Sequence, residues 1–143
     1  MKKTILILVN ELSFLISHRL EIALAAKKQK YNIIVAYGEL GGANSKILSK
    51  KGIHCIHVSL KRSSFNPVRE LWSFFSIFFL FFRIKPEIVH LVTTKSMLYG
   101  GIAARLANVP CVVSAVAGLG SFFNKNNLLN HIFQVVMYPI FYL

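Results

Sequence analysis

The stretch from residue 85 to residue 123, KPEIVHLVTTKSMLYGGIAARLANVPCVVSAVAGLGSFF, constrains the fold most. Two short apolar runs, 87–91 and 111–115, bracket a helix of small residues. That is the pattern of a βαβ unit in a parallel sheet. Its polar residues follow the strands: His90, Thr93, Thr94 and Lys95 after the first, then Gly118, Gly120 and Ser121 after the second. In open parallel sheets ligands bind in the crevice outside the carboxyl ends of the strands. The stretch is therefore both a fold element and a candidate site.

The rest of the chain repeats the alternation. Residues 4–9 read as a strand, 18–28 as a helix, 32–37 as a strand, 44–51 as a short helix and 53–58 as a third strand. Asn66-Pro67 supplies an N-cap and an N1 proline for a long helix to about Phe82, closed by Arg83, Lys85 and Pro86. Five strands alternating with helices predict a doubly wound α/β domain over residues 1–126. Residues 127–143 read as a helix with a broad apolar face, to be covered by a further domain, a partner or a membrane. The Met1-Lys2-Lys3 start is followed by only five apolar residues before Asn10-Glu11, too short for an export signal, so it reads as the first strand.

Charge narrows the partners. The 143 residues carry 17 Lys+Arg against 5 acidic residues, all Glu, for a net charge of +12. An anionic partner follows: phosphorylated ligands or an anionic membrane face. The basic residues are scattered, without an Arg-rich helix or basic tail, so no nucleic-acid partner is expected. Cys55 and Cys111 have no metal-ligand spacing and read as buried free thiols in a reducing cytosol. No metal site is expected.

Residues 71–82 read LWSFFSIFFLFF. As a helix they span roughly 18 Å, against about 30 Å of membrane hydrocarbon, so a full crossing is not expected. Packing on a sheet needs one apolar face, and this helix is apolar on nearly all sides. One reading is a buried helix. The other is an interfacial helix laying Trp72, Phe75, Phe79 and Phe82 on a membrane, with Arg83 and its basic neighbours at anionic headgroups.

The sequence lacks GxGxxG, GxxxxGK[ST] and GxSxG, and it has no Asp for a Ser-His-Asp triad. Nicotinamide or flavin cofactors, P-loop NTP hydrolysis and triad hydrolysis are disfavoured, and no cofactor is expected. His18-Arg19 sits near the carboxyl end of the first strand, and Lys95 begins a later helix. A cation at a helix start is locally unfavourable unless an anion is near. A diphosphate ligand in the crevice would account for both; a solvated surface pair would also account for His18-Arg19. His90 ends its strand, as a core histidine or a site group. Gly118-Leu-Gly120 is a GxG turn that permits close backbone approach.

Taken in order, ISHRLEIALAA, KRSSFNPVREL, KPEIVHLVTTKSMLYGGIAARLANVP and VAGLGSFF resemble the N-terminal half of family-4 glycosyltransferases, the retaining GT-B enzymes of bacterial surface polysaccharide assembly. The resemblance implies a Rossmann-like acceptor-binding domain, the N-terminal half of a GT-B fold, with the donor-binding C-terminal half absent from these residues. It implies transfer of a sugar from a nucleotide-sugar donor to a polyprenyl-diphosphate-linked saccharide at the inner face of the cytoplasmic membrane. The isolated chain is then expected to be inactive. By the same resemblance His18, Arg19, His90, Lys95, Gly118 and Gly120 line the acceptor side. Ala117 stands where related enzymes often place His or Glu, so no catalytic group is assigned in this half. The alternative is a non-catalytic membrane-tethering subunit that recruits a partner chain.

Overall fold

The computed structural model describes residues 2–39, 42–60 and 66–115. Their elements are β1 (Thr4–Val9), α1 (Leu12–His18), α2 (Leu20–Lys28), β2 (Asn32–Tyr37), α3 (Gly42–Lys50), β3 (His54–His57), α4 (Pro67–Ile84), β4 (Ile88–Leu91), α5 (Thr94–Leu106) and β5 (Cys111–Ser114). The five strands form one sheet in the order β3-β2-β1-β4-β5, and every pairing is parallel. The doubly wound α/β expectation holds. The apolar segment 127–143 and the Gly118–Gly120 turn lie outside the described residues.

Strand alternation divides the core into two layers. Leu6 and Leu8 of β1 point to one face, where they meet Ile77 and Phe81 of α4 and Met97, Ala103 and Ala104 of α5. Ile7 and Val9 point to the other, against Leu12, Leu15, Ala23 and Leu48 of α1–α3. Central strands covered on both sides must be apolar throughout, which explains the uninterrupted run in β1.

Glycine sets how closely α5 approaches the sheet. A Cβ at Gly100 would lie 2.5 Å from Leu91 Cδ2 and 2.9 Å from Leu8 Cδ2. Gly101, Ala103 and Ala104 are buried in the same helix. The small-residue composition of α5 is thus a spacing requirement, and larger side chains would lift the helix off β1 and β4.

Helix α4 starts as its sequence implies. The Asn66 side chain accepts from the Val68 amide at 3.0 Å, and Pro67 follows it. The helix ends at Lys85, which is left-handed at φ 49°. Its buried stripe is Ser73, Ile77 and Phe81. Ser73 Oγ bonds back to the Arg69 carbonyl at 2.9 Å, so its hydroxyl is satisfied inside the helix.

Two expectations need correction. The predicted helix 18–28 is α2, Leu20–Lys28, but a further helix, α1, precedes it over Leu12–His18, in the segment between the first strand and the predicted helix. Arg19 is the hinge between them, at φ −132° and ψ −3°, so His18-Arg19 is a junction and not the first turn after β1. Hydrophobic periodicity runs through both segments, which hides the break. Cys111 is exposed and Cys55 half-buried, although both thiols are free. Cys111 lies on β5, whose only strand partner among the described residues is β4. Burial pushes the Cys55 thiol above its ordinary pKa, which makes it a poor nucleophile at neutral pH.

Candidate functional site

The sheet order reverses between β1 and β4. From β1 the chain goes to β2 on one side, and the return through α4 brings β4 in on the other. The carboxyl ends of β1 and β4 therefore open a crevice at a topological switch point, where α/β proteins place ligands.

Asn10 directly follows β1 on the crevice side and is 6% exposed. Its side-chain oxygen accepts from Thr93 Oγ1 at 2.8 Å and from Ser96 Oγ at 3.3 Å, while the two hydroxyls lie 2.6 Å apart. Its main-chain oxygen accepts from the Gly38 and Glu39 amides at 3.0 and 2.9 Å. One residue thus ties together the loops after β1, β2 and β4. Gly38 is required there, because a Cβ would fall 1.8 Å from the Leu60 carbonyl oxygen. Sequence reading passed over Asn10 and Ser96. The available signal was a polar residue closing an apolar strand, which needs a partner if buried.

His90 pairs in register with Ile7 and Val113 and lies on the α1–α3 face of the sheet. Its Nε2 and the Nε of Arg19 are both buried without a hydrogen-bond partner. The His90 pKa is held below its ordinary value, first by burial and then by the charge of Arg19, against an opposing contact with the Val113 backbone. The α1–α2 break thus brings the Arg19 charge to the His90 imidazole. Buried polar atoms normally find partners, and exceptions cluster where ligands bind.

His18 ends α1, directly before Arg19. It is exposed, its ring stacks on Phe14 at 4.4 Å between centroids, and its Nδ1 lies 2.6 Å from Ser17 Oγ. These contacts hold the exposed ring against its own helix.

Lys95 lies in the first turn of α5, as expected, but its counter-charge comes from the chain itself. Its Nζ is 2.7 Å from Glu70 Oε1 of α4, with each side chain 17% exposed. Tyr99 Oη donates to Glu70 Oε2 at 2.5 Å, and Lys95 Nζ sits 5.9 Å from the centre of the Tyr99 ring. Burial first, and then the Glu70 hydrogen bond, raise the Tyr99 pKa. Glu70 favours the N-terminal turn of α4 and offsets the unfavourable cation at the start of α5. It was not foreseen, because its partners lie 25 and 29 residues away.

The outer face of α4 is apolar. Val68 is 74% exposed, Trp72 68%, Phe79 62%, Phe82 59%, Leu71 58% and Phe75 40%. Arg69 and Arg83 are exposed at the two ends of the stripe, and Lys85 beyond it. Stacked pairs Phe74–Phe78, Phe75–Phe79 and Phe78–Phe82 stiffen it. No helix among the described residues is long and apolar enough to cross a membrane, and no cluster of potential metal ligands occurs among them.

A family model described as glycosyl transferase 4-like matches residues 4–142. The chain belongs to that family. A curated relative, the UDP-Gal:alpha-D-GlcNAc-diphosphoundecaprenol alpha-1,3-galactosyltransferase of Escherichia coli, is 34% identical over 67 residues, covering 47% of this chain and 17% of that protein. Among solved structures, MurG of Acinetobacter baumannii superposes with a TM-score of 0.64 at 19% identity, covering 94% of this chain and 39% of MurG. A glycosyltransferase from Rickettsia africae gives 0.62 at 21% identity, covering 90% of this chain and 34% of that one. The UDP-GlcNAc 2-epimerase of Methanocaldococcus jannaschii gives 0.60 at 20% identity, covering 96% and 37%.

This family-4 chain therefore spans well under half the length of each of these four proteins. Its five-stranded sheet is the Rossmann-like N-terminal half of a GT-B fold. At such low identities the superpositions speak for the fold alone, and an epimerase among them shows that the fold does not choose the reaction.

Proposed function

We propose that this chain is the acceptor-binding part of a glycosyltransferase that moves a sugar from a nucleotide-sugar donor onto a lipid-diphosphate-linked saccharide at the inner face of the bacterial cytoplasmic membrane, in surface-polysaccharide assembly. One observation carries the reading: α4 links an exposed aromatic stripe to the crevice. Its outer face offers Trp72, Phe75, Phe79 and Phe82, and its first turn reaches Lys95 through Glu70.

A lipid-diphosphate acceptor has an apolar tail, a diphosphate and a saccharide. The aromatic stripe with Arg69, Arg83 and Lys85 suits the tail's membrane and its anionic headgroups. Lys95 at the start of α5, exchanging Glu70 for a phosphate oxygen, suits the diphosphate. Arg19 Nε and His90 Nε2 offer polar atoms to the saccharide. Gly118 and Gly120, which lie outside the described residues, and the exposed His18 beside Arg19 are assigned to the same acceptor side. The Escherichia coli relative acts on a GlcNAc-diphosphoundecaprenol acceptor, which supports the same substrate class here.

In this arrangement the chain's own groups bind and orient the acceptor, and the crevice supplies fixed dipoles where charge develops. The donor is held by the rest of a two-domain enzyme. The test is an assay of the polypeptide as encoded, with any sequence continuing past residue 143, in anionic vesicles. A panel of nucleotide sugars is offered with a short-chain polyprenyl-diphosphate N-acetylglucosamine. Sugar transfer is the expected result. Vesicle binding without transfer from any donor would point instead to the membrane-tethering alternative.

A further inference from the structure

We infer that Asn10 is a ligand-binding residue of the crevice, and that Thr93 and Ser96 are positioning residues that aim its side-chain amide. This deepens the proposed function and rests on it. The carboxamide has two ends. Its oxygen is taken by the Thr93 and Ser96 hydroxyls at 2.8 and 3.3 Å. Ser96 is fully buried, and Asn10 is 6% exposed, so this end is locked.

The other end is an NH2 with two donors. No described residue accepts from it, and its nitrogen is not among the buried unpartnered side-chain atoms. It is therefore not fully enclosed, and it sits where the main chain leaves β1, beside the carboxyl ends of β1 and β4. Two backbone amides on the Asn10 carbonyl fix the residue from the opposite side. A donor with no freedom to turn needs no reorganisation when a ligand arrives, which is the condition for strong positioning.

The matching chemistry on the ligand is an accepting oxygen, either a saccharide hydroxyl or a phosphate oxygen of the acceptor. Asn10→Asp separates the donor end from the scaffold. The carboxylate keeps an oxygen for Thr93 and Ser96 but offers no donor to the ligand. Asn10→Ala removes both ends.

The experiment measures KM for the short-chain polyprenyl-diphosphate N-acetylglucosamine, KM for the donor, kcat and Tm, in the full-length protein. Asn10→Ala should raise the acceptor KM about fivefold or more, the loss expected for one hydrogen bond, and Asn10→Asp should do the same if the ligand oxygen is a phosphate's. Donor KM and kcat should stay within about twofold. A larger loss in Asn10→Asp than in Asn10→Ala identifies a phosphate oxygen, through charge repulsion. The reverse order identifies a hydroxyl, which can still donate to the carboxylate. Thr93→Val with Ser96→Ala should raise the same KM about threefold, and Thr93→Ser should behave as wild type.

Acceptor KM within about twofold of wild type in both Asn10 variants overturns the inference, whatever happens to Tm. A wild-type protein that transfers no sugar from any donor overturns the proposed function instead, and this inference with it.

Discussion

Lys95 Nζ lies 2.7 Å from Glu70 Oε1, and the same carboxylate accepts the Tyr99 hydroxyl at 2.5 Å. Two helices on one face of the sheet are thus clamped at their N-terminal ends by a charged group that is 17% exposed. Removing Glu70 takes a carboxylate contact from a partly buried ammonium and a phenol. Glu70→Ala should lower the unfolding free energy by about 1–3 kcal/mol, and Tyr99→Phe by about 1 kcal/mol. Urea denaturation measures both. A Glu70→Ala midpoint equal to wild type would show that the clamp contributes nothing to stability.

Close packing makes two glycines costly to replace. At Gly38 the added Cβ would meet the Leu60 carbonyl oxygen at 1.8 Å, and backbone cannot swing aside as a side chain can. At Gly100 the obstacles are Leu91 and Leu8 side-chain tips at 2.5 and 2.9 Å. Gly100→Ala should therefore cost about 1–3 kcal/mol, as overpacking does, and Gly38→Ala more. Thermal melts of the two variants check the order. A Gly38→Ala protein as stable as wild type would mean that the β2–β3 end of the sheet is not packed as described.

Much of this fold was legible because its signals are local. The Asn66-Pro67 start of α4, the apolar run of β1 and the glycine-alanine content of α5 each state their structure within a few residues. The α1–α2 break was not legible, since Ile16, Leu20, Ala23 and Leu24 keep the helical period across Arg19 while the backbone turns. In the candidate site the misses share a cause. Glu70 meets residues 25 and 29 positions away, and Asn10 meets residues 83 and 86 positions away. Composition marks neither contact. Only the β1–β4 adjacency brings Asn10 to Thr93.

The outer face of α4 should be dispensable for folding and needed for vesicle binding. Trp72 and Phe79 are 68% and 62% exposed, so truncating them removes little packing. Each aromatic side chain transferred from water into an apolar phase is worth about 1.5–3 kcal/mol. Trp72→Ser with Phe79→Ser should reduce partitioning into anionic vesicles by at least about tenfold, with Tm within a few degrees of wild type. Co-sedimentation in low and high salt reads both the apolar and the electrostatic part, the second weakening with salt. Unchanged sedimentation of the double variant at both salt concentrations would leave the stripe without a membrane role.

His90 should make the protein acid-sensitive. Burial and the Arg19 charge both disfavour its imidazolium in the folded state. Its folded pKa is therefore below the ordinary value of about 6.5. Between those two pKa values the unfolded chain binds a proton that the folded chain does not, so stability rises with pH across that window. The contribution is fully present above about pH 6.5 and is lost as the pH falls through the folded pKa. Each tenfold difference in proton affinity between the two states is worth about 1.4 kcal/mol. Urea midpoints from pH 7.5 down to 5 should fall for wild type and fall less for His90→Gln. Arg19→Gln should give an intermediate slope, because burial, the larger cause, remains. Identical slopes in wild type and His90→Gln would show that the imidazole titrates as freely in the folded chain as in the unfolded one.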